Sequence, residues 1–139
     1  MQNKIIFILI LSTALLLAGC SFSQYSRETL DAFANCLADK NAKEYGAFWC
    51  PNCAKQEKMF GKSHAILKAR GVYIECDPRC DTTPDTLPQA CRGIKGQPSL
   101  CLEKKVNKYP TWEFADGEIL VGVQEFQKLA EKSGCAFNA

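Results

Sequence analysis

The stretch YGAFWCPNCAKQ, residues 45–56, places two cysteines two residues apart directly after an apolar, aromatic run. Aromatic residues bounded by polar ones predict a buried strand over residues 43–49. Pro51 suits the first turn of a helix, where its missing N–H costs nothing. Cys50 and Cys53 are therefore predicted to lie at a strand-to-helix junction.

This junction predicts different chemistry for the two cysteines. A cysteine at a helix N-terminus faces free N–H groups and the positive end of the helix dipole, and both favour thiolate over thiol. Cys50 has that position, and Cys53 lies one turn later, within reach of a mixed disulfide formed at Cys50. The pattern predicts a dithiol/disulfide couple in which Cys50 is an exposed nucleophile and Cys53 is a shielded resolving thiol.

Two other interpretations of the pair remain open. The segments CPNC and CDPRC, the latter at residues 76–80, could form the two halves of a four-thiolate zinc site. Alternatively, all bridges could be structural, in a non-catalytic binding module at the cell surface. We favour the redox couple, because a tight bridge between Cys50 and Cys53 would constrain little of the unfolded chain and exported cysteines are usually oxidised. No metal and no cofactor is then expected.

The N-terminus is predicted to be a leader followed by a tether. The apolar run over residues 5–18 is too short for a membrane span of about 20 residues. It ends in LAGC, which resembles the lipobox of bacterial lipoproteins, with Cys20 as the lipidated residue. Residues 1–19 are predicted to be a signal peptide, 20–26 a lipidated tether and 27–139 the domain. The protein is expected outside the cytoplasm, anchored to a bacterial membrane on the periplasmic side or at the cell surface.

Length, charge and cysteine count narrow the class of protein. The 139 residues predict one domain. A net charge of +2 does not indicate a nucleic-acid partner. Export places the nine cysteines in an oxidising environment, and setting Cys20 aside leaves eight, enough for four pairs.

The rest of the pattern predicts an α/β protein with the thioredoxin fold. Apolar residues at helical spacing predict a helix over residues 27–41, and VYIEC at residues 72–76 predicts a second strand. Pro and Gly are dense over residues 77–98, which predicts a surface insertion. Two strands joined at Asp116–Gly117 and a helix over residues 124–132 complete a βαβ–ββα plan. We expect a central mixed sheet flanked by helices, with an extra N-terminal helix and a disulfide-rich insertion.

Three motifs carry a more specific resemblance. GAFWCPNC, ECDP and YPTWEF followed by ADG resemble the thioredoxin-like domain that is found fused to bacterial homologues of vitamin K epoxide reductase and in free-standing lipoprotein relatives. The resemblance spans about residues 27–135. It implies a membrane-anchored thiol–disulfide oxidoreductase that exchanges disulfides with exported cysteine-containing proteins. It also implies a partner, a quinone-linked membrane thiol oxidase that reoxidises the domain.

The resemblance implies roles for two residues outside the CPNC motif. Pro110 matches the cis proline that thioredoxin-fold enzymes keep opposite the active cysteines. Glu44 occupies the place of a buried acid under the active site, where it could relay the proton of Cys53. An exposed glutamate at the start of the strand is the alternative for Glu44. His64, the single histidine, is interpreted as a surface residue.

The direction of electron flow stays open. Asn52 stands where the family usually has a histidine, and an amide brings no positive charge, so the couple should be less oxidising. Disulfide formation in exported proteins is favoured, and a reductase or isomerase of the same fold is the alternative. For the other six cysteines the resemblance implies a structural disulfide between Cys76 and Cys101. The insertion is then predicted to hold its own bridge, Cys80–Cys91, which leaves Cys36 to pair with Cys135.

Overall fold

The computed structural model describes residues 25–138. The predicted signal peptide, the lipidation site at Cys20 and most of the tether lie outside these residues. Within the described part, no helix has the length and apolar character needed to cross a membrane.

Helices and strands follow one another in the order that the sequence predicts. The helices are α1 (Arg27–Asp39), α2 (Pro51–Phe60), α3 (His64–Ala69), α4 (Pro98–Glu103) and α5 (Phe126–Ser133). The strands are β1 (Lys43–Gly46), β2 (Tyr73–Glu75), β3 (Thr111–Glu113) and β4 (Ile119–Val121). Short 3-10 turns occupy Gly61–Ser63, Pro78–Asp81 and Gln89–Cys91.

The strands form one mixed sheet in the order β2-β1-β3-β4. β1 runs parallel to β2 and antiparallel to β3, and β3 pairs with β4 as a hairpin. The hairpin turns where predicted: the Asp116 carboxylate accepts the Glu118 N–H at 2.9 Å, and Gly117 has a φ of +84°. The architecture is thioredoxin-like, which confirms the expected fold class.

β1 ends at Gly46, three residues earlier than predicted. The next residues form a turn in which the Cys50 N–H donates to the Ala47 carbonyl at 2.9 Å. The aromatic residues Phe48 and Trp49 therefore belong to this turn rather than to the sheet. The early exit from the sheet brings Cys50 to the N-cap of α2.

The main hydrophobic core lies between the sheet and the helices. The extra helix α1 begins after Ser26, whose Oγ accepts the Thr29 N–H at 3.1 Å, and it buries its apolar face in this core. Burial of each large side chain there contributes about 1.5–3 kcal/mol. Its aromatic members are Phe33, Phe60, Tyr73, Trp112, Phe114 and Phe126, and Leu30, Leu37, Leu67 and Leu129 pack with them.

The described part of the chain contains three disulfides. They are Cys36–Cys135, Cys76–Cys101 and Cys80–Cys91, the same pairs as in the sequence-based prediction. Because Cys76 and Cys80 are oxidised, the zinc interpretation that needs them as thiolates is wrong. Nor does any group of three or more His, Cys, Asp or Glu side chains between residues 25 and 138 have the arrangement of a metal site.

Candidate active site

The two cysteines between residues 25 and 138 that are not in disulfides lie at the start of α2. Cys50 is the N-cap residue and Cys53 sits in the first turn. The Cys50 Sγ accepts a hydrogen bond from the Cys53 backbone N–H at 3.3 Å. This contact uses one of the N–H groups that a helix leaves without an internal partner. The pair therefore has the helix placement predicted from the sequence.

Cys50 and Cys53 are buried to a similar degree, with 6% and 5% of their surfaces exposed. The prediction that Cys50 is exposed is therefore wrong. Its Sγ lies 3.6 Å from the Tyr109 carbonyl oxygen, and the Tyr109 ring packs edge-to-face on Trp49 with centroids 6.2 Å apart. Tyr109 packs against the buried cluster of Ala47, Cys50 and Cys53, while Trp49 remains more than half exposed.

The surroundings of Cys53 favour its thiol form. Burial is the main cause that raises the pKa of Cys53, and the neighbouring Cys50 and Glu44 raise it further. A backbone hydrogen bond from Ala47 opposes the shift. Because the thiolate is the attacking species, Cys53 must give its proton to an acceptor before it can resolve a mixed disulfide.

Pro110 adjoins the pair from the opposite side. The Tyr109–Pro110 peptide bond is cis, and the proline is buried. The Tyr109 carbonyl that touches Cys50 belongs to this same peptide. The proline that the resemblance implied therefore flanks the cysteine at the N-cap.

Glu44 lies under the pair, with 0% of its surface exposed, so the exposed alternative is wrong. Glu44 and Gly46 lie on one face of β1, because side chains alternate along a strand. A Cβ at Gly46 would be 3.3 Å from the Cys53 Sγ, which identifies this face as the one toward Cys53. Burial raises the pKa of Glu44, and a hydrogen bond and charge from His64 lower it in part.

His64 is buried next to Glu44, and its interpretation as a surface residue is wrong. Only 2% of its surface is exposed, and its Nε2 lies 3.4 Å from the Glu44 Oε2. Its Nδ1 lies 3.6 Å from the Glu57 Oε1. The buried residues of α3 are His64 and Leu67, three positions apart, so helical periodicity was the signal that could have placed His64 inside.

A second buried acid, missed by the sequence analysis, holds the turn before the pair. Glu75 accepts the Tyr73 hydroxyl at 2.8 Å, the Asp77 N–H at 2.9 Å and the backbone N–H of Phe48. Burial raises the pKa of Glu75, and these three donors oppose the shift. Glu75 is the last residue of β2 and the first residue of the ECDP motif, and this position at a strand end was the available signal.

Asp77 fixes the exposed aromatic ring beside the cysteines. It accepts the Trp49 indole N–H at 2.6 Å and two guanidinium N–H groups of Arg79 at 2.9–3.0 Å. The hydrogen bonds from Arg79 are the main cause that lowers the pKa of Asp77 to about 2. The Arg79 guanidinium also lies 4.8 Å over the Phe48 ring. Residues of the insertion therefore contact both aromatic residues that precede Cys50.

Comparison with known proteins gives a relative for most of the chain. Thiol-disulfide oxidoreductase LTO1 from Arabidopsis thaliana is 34% identical over 103 residues. The match covers 74% of this chain, which spans about a quarter (24%) of the relative's length. No family model matches the chain.

Proposed function

Because the chain combines a thioredoxin-like fold with similarity to a thiol-disulfide oxidoreductase, we propose that it is a thiol–disulfide oxidoreductase whose redox centre is the Cys50–Cys53 pair. The observation that carries this proposal is the position of the pair. Two unbonded cysteines share the first turn of α2, and the Cys50 Sγ contacts the Tyr109 carbonyl that precedes Pro110. All other cysteines between residues 25 and 138 are in disulfides.

Disulfide donation starts from the oxidised pair. A client thiolate attacks the Cys50 Sγ, which forms a client–Cys50 mixed disulfide and releases Cys53, which takes up a proton. A second client thiolate then attacks the client sulfur, forms the client disulfide and leaves Cys50 as a thiolate. Two electrons pass from the client to the pair. Reoxidation by a membrane thiol oxidase passes them on.

Reduction of a client uses the same groups in reverse. The Cys50 thiolate attacks a client disulfide, and Cys53 loses its proton and attacks the Cys50 Sγ to release the client. Cys50 takes the first position because it caps the end of the helix, whereas Cys53 packs against the sheet at Gly46. The exposed Trp49 beside Cys50 offers an aromatic contact surface to the client.

We further propose that the protein works outside the cytoplasm, anchored by lipid on Cys20. Its clients are exported cysteine-containing proteins, and its electron acceptor is a quinone-linked membrane thiol oxidase. Three features support this extension: the LAGC sequence that ends the N-terminal apolar run, the structural disulfides, which persist in oxidising compartments, and the family resemblance of the motifs.

A trapping experiment tests the enzyme function. Cys53→Ser should form mixed disulfides with client proteins in an exporting cell, because Cys50 can attack but cannot be released, and a reductant should dissolve these adducts. The matched variant Cys50→Ser should form none. If Cys53→Ser is folded and has a free Cys50 thiol but captures no client, the binding module with structural bridges becomes the better description.

The equilibrium of the pair with glutathione separates donor from reductase. A reduction potential of about −120 mV, as in strong oxidants, indicates disulfide donation, and one of about −270 mV indicates reduction of clients. Asn52 between the cysteines argues for a value below the oxidising extreme, because its amide contributes no positive charge.

A further inference from the structure

A row of titratable side chains leads from beneath the cysteine pair to the protein surface. The Glu44 Oε2 lies 3.4 Å from the His64 Nε2, and the His64 Nδ1 lies 3.6 Å from the Glu57 Oε1. Glu44 and His64 are buried, whereas half of the Glu57 side chain is exposed, where it also binds the Lys68 Nζ at 2.9 Å. The row therefore has an inner end and an outer end.

Two buried atoms of this row have no hydrogen-bond partner among the described residues. They are the Glu44 Oε1 and the His64 Nδ1. Buried polar atoms in native proteins are nearly always paired, so an unpaired one asks for an explanation. The Glu44 Oε1 is the carboxylate oxygen that does not face His64, and the His64 Nδ1 is the ring nitrogen nearest to Glu57.

His64 is the polar group that connects Glu44 outward. The residues next to Glu44 in the sheet are Tyr73 on β2 and Trp112 on β3, both buried. The Tyr73 hydroxyl is committed to Glu75, and Tyr73 meets the His64 ring at its edge, with centroids 5.3 Å apart.

Three neighbouring elements bring titratable groups to His64. Glu44 faces it from β1, Glu57 from α2 and the Tyr73 ring from β2, while Lys68 on α3 reaches the row through Glu57. Glu57 is the member of this set that is both next to the His64 Nδ1 and open to solvent.

We propose that His64 relays protons between Glu44 and Glu57 and so connects the resolving thiol Cys53 to solvent. The inference rests on the proposed function of the cysteine pair. When Cys53 attacks a Cys50 mixed disulfide, its S–H bond breaks and its proton passes to the Glu44 carboxylate. A Cys53–Cys50 S–S bond forms, and the client sulfur leaves with the electron pair of the broken S–S bond.

The proton then leaves through the imidazole. Glu44 transfers it to the His64 Nε2, and the ring releases the proton on Nδ1 to Glu57, from which it passes to water. When a client thiolate opens the Cys50–Cys53 disulfide, the proton moves inward and Cys53 takes it up. One full cycle of opening and closing the disulfide therefore returns the imidazole to its starting tautomer.

Ellman's reagent tests the relay in the purified reduced protein. Attack by Cys50 releases one coloured thiolate, and resolution by Cys53 releases a second, so the two steps are seen as separate phases. His64→Gln should leave the first phase unchanged and slow the second at least about tenfold, short of the roughly 10²–10⁴-fold that a directly acting acid or base contributes. Glu57→Gln should slow the second phase less, because water can replace an exposed carboxylate. Glu131→Gln, an exposed carboxylate on α5, is the control and should change neither phase.

The outcomes separate failure of the relay from failure of the enzyme function. A folded His64→Gln protein with a wild-type second phase, or with both phases slowed equally, overturns the relay and leaves the enzyme intact. A wild-type protein that shows no second release overturns the function itself.

The wild-type protein supplies a measurement that does not depend on any variant folding. His64 is the single histidine, so its imidazole ¹⁵N signals need no further assignment. These signals report which nitrogen carries a proton, and they should differ between the dithiol and disulfide forms. Identical signals in the two forms overturn the relay.

Discussion

The Cys36–Cys135 bridge should contribute more to stability than the bridge inside the insertion. It joins α1 to the residue after Gly134 across a sequence separation of 99, whereas Cys80–Cys91 spans 11. A cross-link removes entropy from the unfolded chain by a constant amount plus an amount that rises with the logarithm of the loop length. At 25 °C this gives about 4.7 kcal/mol for the long loop and about 2.8 kcal/mol for the short one.

Two double variants measure the difference directly. Both Cys36→Ala/Cys135→Ala and Cys80→Ala/Cys91→Ala remove two sulfur atoms, and we expect the first to lose roughly 2 kcal/mol more in guanidinium unfolding at 25 °C. Lost packing acts in the opposite sense, since Cys80 and Cys91 are buried and Cys36 is only partly so. Measurements at about pH 5 keep the thiolate fraction low and therefore limit disulfide exchange with Cys50 and Cys53.

The opposite order would refute the loop-length reasoning. If Cys80→Ala/Cys91→Ala loses as much free energy of unfolding as the other variant, the bridges act mainly through the folded state. A changed slope of free energy against denaturant would show that the variants alter the unfolded chain beyond the loss of one loop.

Two further substitutions probe the buried side of the pair. Glu44→Gln should raise the free energy of unfolding at pH 7, because burial raises the pKa of Glu44 in the folded protein. The wild type therefore loses stability as the pH rises from the pKa of the unfolded chain, about 4.3, through the higher pKa of the folded protein. The difference in free energy of unfolding between Glu44→Gln and the wild type, measured with urea, should vanish below about pH 4. A difference that persists there would contradict the explanation by burial of the charge. Gly46→Ala places a Cβ 2.8 Å from the Tyr73 ring and 3.3 Å from the Cys53 Sγ, and should cost about 1–3 kcal/mol. A Gly46→Ala protein that unfolds at the same temperature as the wild type would contradict this steric clash.

Sequence signals formed by a few adjacent residues predicted the turns and helix ends around the candidate site. Pro51 at the first position of α2 and the Asp116–Gly117 turn are signals contained in a few adjacent residues, and the structure has both features where they were predicted. The helix stop at Gly134, with a φ of +72°, follows from the same kind of rule. Such features depend on backbone conformations that few residue types favour.

Contacts between distant segments account for what the sequence did not predict. Cys50 contacts Tyr109, 59 positions away, and His64 pairs with Glu44, 20 positions earlier. Neither contact leaves a pattern in adjacent residues. The hold of Asp77 on Trp49 is of the same kind, since it depends on where the chain returns after β2.

The three bridges are nested, with Cys80–Cys91 inside Cys76–Cys101 and both inside Cys36–Cys135. The exposed residues 81–86 lie within the innermost loop, and exposed loops of this kind are preferred sites of proteolytic cleavage. One cut there gives two peptides that remain joined by all three disulfides. A nicked molecule therefore runs as an intact chain in electrophoresis without reductant, and α2, Tyr109 and Pro110 stay on one covalent body.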